Sequence, residues 1–157
     1  MKGILALLLC GVLLMGGTHE TPRSYVEGML GVRLYEDTQI QPDFVQNTHG
    51  GFHGDGETLI RFSFEESQAQ DLEEQMASGS QWNALPLPQA AKSALAYVDW
   101  PIPEAREGYW FFLDKQTGEY AQDNVLSSDY LSRHSQNWVM AMYDGERRVL
   151  YFVELDT

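Results

Sequence analysis

Hydrophobic and polar positions alternate most cleanly over residues 57–64. Thr58, Ile60, Phe62 and Phe64 share one side, and Arg61 and Ser63 the other. A period of two over that length predicts a half-buried strand. Residues 40–47 form a shorter, weaker strand pattern, and Pro42 confines it to an edge or an entry position. Residues 109–113 (YWFFL) are apolar on both sides, as suits a central strand. Residues 114–118 predict a turn leading to a short return strand at 119–121. Residues 137–143 and 147–154 read as two further strands. Asp144-Gly145 between them predicts a two-residue hairpin.

Other stretches carry the helical period. Thr21 and Pro22 suit an N-cap and first turn, Tyr25, Val26, Met29 and Leu30 make one apolar face, and Gly31 is a natural stop. Residues 65–78 predict a second helix with Ala69, Leu72 and Met76 inward and an acidic outer face. Ser63 and Glu66 fit its capping box. Residues 82–88 (WNALPLP) read as a proline-punctuated linker anchored by Trp82 and Leu85. A third helix follows from Pro88 to about Tyr97, with Ala91, Ala94, Leu95 and Val98 inward. Residues 124–136 are polar and irregular, with one helical turn around 129–131. Strands grouped at the end, with helices inserted as a block, predict an α+β fold: a single domain with an antiparallel sheet and helices packed on one face.

Composition narrows the function classes. The formal net charge of −13 repels nucleic acid and anionic membrane surfaces, so neither is an expected partner. Residues 1–17 read as a signal peptide or an N-terminal membrane anchor. Lys2 precedes an apolar run at residues 4–15, and Gly16-Gly17 supply small residues near a cleavage point. That run would reach roughly 18 Å as a helix against about 30 Å of hydrocarbon, which favours a signal over a span. The expected organisation is therefore a leader at 1–17 and one domain at 18–157, exported to the extracellular space or cell surface. Contact with the membrane comes only through the N-terminal segment if it stays uncleaved. Cleavage after Gly17 takes the charge to about −14. The single cysteine, Cys10, lies in the leader, so disulfides and thiol chemistry are not expected of the mature domain.

The chemistry concentrates between the first two strands. His49, Gly50, Gly51, Phe52, His53, Gly54, Asp55 and Gly56 place two histidines, an aspartate and four glycines on backbone free to bend. Three readings stand side by side. The stretch is a tight turn whose side chains cap backbone groups. Or successive glycine amides cradle an anion. Or His49, His53 and Asp55 hold a divalent metal, with Glu57 or His134 as a base in a metal-dependent hydrolase. The spacing is neither a dinucleotide fingerprint nor a phosphate-binding loop, because a strand follows where a helix should. Ser132, His134 and Ser135 cluster without any nucleophile-elbow motif. The four tryptophans fit core packing better than a sugar platform. With no catalytic signature, the sequence points to a small-ligand-binding or protein-interaction module, with a protein or glycan as partner. A structural or inhibitory protein whose acidic face meets a basic partner is a further alternative.

The HGGFHGDGET stretch, Trp82 before LPLP, and the ending YDG…LYFVELDT resemble a group of short exported proteins of Gram-positive gut bacteria. The resemblance spans most of residues 25–157. It implies an exported single domain and brings no activity with it.

Overall fold

The computed structural model describes residues 21–34, 40–50, 54–99, 102–127 and 129–157. The leader expected at 1–17 lies outside them. No helix among the described residues is long and apolar enough to cross a membrane.

Among the described residues, the chain forms one antiparallel sheet of seven strands with three helices, an α+β domain. Helix α1 (Pro22–Leu30) is followed by strands β1 (Phe44–Asn47) and β2 (Gly56–Ser63). Then come α2 (Glu66–Ser78), β3 (Trp82–Ala84), α3 (Gln89–Leu95), β4 (Gly108–Asp114) and β5 (Glu119–Tyr120). A 3-10 turn (Asp129–Ser132) leads to β6 (Trp138–Asp144) and β7 (Val149–Asp156). The sheet order is β1-β2-β7-β6-β4-β3, with β5 beside the end of β4. Strand β7 is thus interior, zipped to the β1–β2 hairpin on one side (Ile60 opposite Phe152) and to β6 on the other.

Both sides of the central strands are apolar, so both faces of the sheet need a cover. On one face Ile60, Phe62, Phe111, Val139, Ala141, Tyr143 and Phe152 pack under α1 and α2, through Val26, Leu30, Ala69, Leu72 and Met76. On the other, Leu59, Trp110, Phe112, Trp138, Met140 and Val153 are covered by Ala91 and Ala94 of α3 and by loop residues including Tyr130. The two longer helices therefore share one face, and the short α3 takes the opposite one. Trp82, Trp110 and Trp138 are all buried, in keeping with core packing.

Several local expectations are corrected. Residues 82–84 are not linker but an edge strand on β4, with Asn83 opposite Trp110. The buried Asn83 amide also donates to Ala121 O and accepts from Asn124 N, which ties that edge to the chain beyond β5. The cap of α2 is Glu65 with Gln68, whose Oε1 accepts from Glu65 N at 2.9 Å. Ser63 is still in β2, and its hydroxyl donates to Asp43. Between β6 and β7, Asp144 pairs with Val149, so four residues separate the strands rather than two. The reason is the fully buried Asp144 carboxylate, which accepts from Arg147 N at 3.0 Å and from the Arg147 guanidinium. Arg148 then takes the left-handed conformation. The same end requires Gly108, where a Cβ would sit 2.0 Å from Tyr143 O.

Candidate functional site

His49 is positioned by local chemistry. Asn47 ends β1, and its Oδ1 accepts from His49 N at 2.9 Å, an Asx turn. Thr48 N donates to Glu57 O at 2.8 Å, and Glu57 N returns to Thr48 Oγ1 at 2.9 Å. The start of β2 then passes so close that a Cβ on Gly56 would fall 2.5 Å from His49 Cα. Glycine is needed here for space, and its absence of a side chain lets the loop fold over β2.

That fold directs the His49 ring towards β7. Register places Gly56 opposite Asp156 and Thr58 opposite Glu154. His49 Nε2 lies 3.1 Å from Asp156 Oδ2, and Nδ1 lies 3.1 Å from Thr58 Oγ1 and 3.0 Å from Asn47 Oδ1. A carboxylate only accepts, so Nε2 carries a hydrogen in this contact. Nδ1 of the neutral ring then accepts from the Thr58 hydroxyl, whereas a doubly protonated ring donates to Asn47 Oδ1.

Glu154 is the buried member, its side chain only 6% exposed. Both of its oxygens are held. Tyr25 of α1 donates its hydroxyl to Oε2 at 2.6 Å, and Lys115 Nζ donates to Oε1 at 2.6 Å. Lys115 also reaches both oxygens of Asp156, at 2.7 and 2.8 Å. A carboxylate taken out of water is penalised by several kcal/mol, and charge-assisted hydrogen bonds offset roughly 1.5–3 kcal/mol each. Two such bonds to Glu154 are what makes its burial tolerable. Burial works against the Lys115 charge, but the hydrogen bonds to Asp156 and Glu154 outweigh it and hold the ammonium above the ordinary lysine range.

His49, Glu154 and Asp156 line a cleft of about 380 Å³, within the range of roughly 300–1,000 Å³ usual for ligand sites. Tyr25, Val45 and Ile60 supply its apolar wall, and His49, Glu154 and Asp156 its polar one. One nitrogen or oxygen from each of those last three lies within 4.8 Å of the others, a spacing that a divalent ion can span. The arrangement can accept hydrogen bonds from a ligand, orient it through a histidine fixed by aspartate, and present one excess negative charge beyond Lys115.

Of the residues singled out from sequence, His49 is at the cleft, and the carboxylates it meets are Asp156 and Glu154. Gly51, Phe52 and His53 lie outside the described residues. Gly50 N donates to Asp55 O at 3.4 Å across the loop. His134 is exposed, while Ser132 and Ser135 donate to the carbonyls of Asp129 and Thr157. Sequence reading missed Tyr25, Lys115, Glu154 and Asp156. A signal existed for two of them. Leu150, Phe152, Glu154 and Asp156 occupy one face of β7, so carboxylates continue an otherwise buried apolar row.

Comparison of the chain with family models, with curated proteins and with solved structures finds no match.

Proposed function

We propose that the protein is an exported small-ligand-binding module whose site is the cleft over His49, Glu154 and Asp156. The observation that carries this reading is the buried Glu154, held from two sides by Tyr25 and Lys115 at the floor of an open cleft. A core does not need it: an apolar residue at that position would stabilise the sheet at least as well. The ligand class follows from the floor. Two carboxylates and one imidazole favour a compact molecule rich in hydrogen-bond donors, such as a sugar or a primary amine. The apolar run at residues 4–15 supports placing the domain outside the cytoplasm.

A second reading, a divalent-metal centre with hydrolytic chemistry, is favoured by the mutual spacing of His49, Glu154 and Asp156. It requires Lys115 to give up its carboxylates to the ion. His53 and Asp55 would be its further candidate ligands.

One titration separates the two. Backbone amide spectra of the protein are followed with glucosamine, glucose and zinc, beside a Glu154→Gln variant. Glucosamine or glucose shifting Asn47, His49 and Thr58, with loss of the effect in the variant, is the expected result. Zinc alone acting there would replace the first reading by the second. No change at those amides with any of the three would end both.

A further inference from the structure

On the opposite face of the sheet lies a groove of about 310 Å³. Its floor is Met142 of β6, and its apolar walls are Pro86, Leu87, Leu95 and Ile102. The wall residues are exposed or half-buried, so apolar surface stays open to water there. Lys92 and Arg106 line the same groove. Lys92 stands three residues before Leu95 on α3, on the same side of the helix. Arg106 lies two residues before β4.

These two cations differ from the rest. Arg23, Arg61, Lys115, Arg133, Arg147 and Arg148 each reach a carboxylate. Arg33 is also engaged. Among the described lysines and arginines, Lys92 and Arg106 are the side chains with neither an ion pair nor a hydrogen bond. In a chain of net charge −13, carboxylate partners are plentiful, yet both unpaired cations stand over one apolar groove. Glu104 also lines it, leaving a local excess of one positive charge.

We propose that this groove is a second ligand site, for a small amphiphilic carboxylate: an alkyl chain on Met142, Leu95 and Ile102, with the carboxylate held by Lys92 and Arg106. Charge complementarity fixes the sign of the head group, and the walls fix the apolar tail. Arg106 can take a carboxylate through two parallel N–H donors, and Lys92 adds a point charge. The volume is at the small end of ligand cavities, which suits a medium-length chain rather than a long one. This site is independent of the His49 cleft.

The test uses decanoate, decanol and acetate as probes, read from the methyl signal of Met142 and the amides of Leu95 and Ile102. Decanoate is expected to shift these signals and to bind about tenfold or more tightly than decanol, with acetate silent. In a Lys92→Gln/Arg106→Gln variant decanoate weakens to the level of decanol, while decanol itself is unchanged. Equal binding of decanoate and decanol to the unaltered protein would overturn the proposal. So would the absence of any shift at Met142, or a variant that binds decanoate as before.

Discussion

Two hollows on opposite faces of one sheet treat charge in opposite ways. On the α1 face, charged groups are brought together and satisfied by each other: Lys115 by Glu154 and Asp156, Glu154 by Tyr25, Asp156 by His49. In the groove on the α3 face, Lys92 and Arg106 are left without partners beside exposed or half-buried apolar walls. A group already bonded within the protein sets geometry, and it binds a ligand only by sharing or exchanging those bonds. An unpaired group at a groove has nothing to exchange. On the proposed readings, the first site would select a ligand by shape, while the second would draw its binding energy from charge that is still unused.

The comparison can be broken most strongly at Lys115. Lys115→Met leaves Glu154 buried with only Tyr25, and a loss of about 2–4 kcal/mol is expected in urea unfolding, reduced somewhat because Lys115 is 30% exposed. The matching change across the sheet, Lys92→Met, is expected to move stability by less than about 0.5 kcal/mol. A similar loss in both would erase the contrast. The Lys115 effect also has a pH signature. Its folded-state value is raised, so its contribution is complete below the unfolded lysine value of about 10.4 and is lost as pH rises through the higher folded value. The stability gap between the unaltered protein and Lys115→Met should close on that alkaline side.

Gly56→Ala comes next. Its Cβ would fall 2.5 Å from His49 Cα, so the loop must shift, at about 1–3 kcal/mol. Glucosamine binding at the cleft should weaken while decanoate binding at the groove stays the same. Tyr25→Phe tests the same carboxylate from its other side. The ring keeps its edge-on packing against Phe152, and only the hydrogen bond to Glu154 is lost, roughly 1.5–3 kcal/mol in unfolding experiments. A neutral result would mean that water replaces the phenol at Glu154.

Local pattern carried most of the fold. Strands β2, β4, β6 and β7 and helices α1 and α2 each run over seven or more residues, long enough for an alternation, an unbroken apolar run or a helical face to be read. Strand β3 has three residues, too few for a period, and Pro86 and Pro88 beside it read as linker. Asp144-Gly145 suggested a tight hairpin because nothing local shows that Asp144 is buried and occupied by Arg147. Half of the first site was legible in the same sense. His49 stands out among glycines, but its partner Asp156 is 107 residues away and enters only through the β2–β7 pairing. The order of strands in a sheet is a long-range property that alternation does not encode. The groove was hidden for a different reason. Lys92 and Arg106 look like any surface cations until the partners of the others are known.

The pairing of β2 with β7 also has a consequence in time. The contacts of the first cleft close loops of increasing span: 39 residues for Lys115 with Glu154, 107 for His49 with Asp156 and 129 for Tyr25 with Glu154. Sheets dominated by such distant pairings fold slowly, on the scale of milliseconds to seconds. The Lys115–Glu154 contact can form while the β4–β6–β7 meander is still alone. The cleft cannot, because its other wall arrives only when the amino-terminal hairpin docks. A ligand of this cleft would therefore recognise only chains that have finished folding.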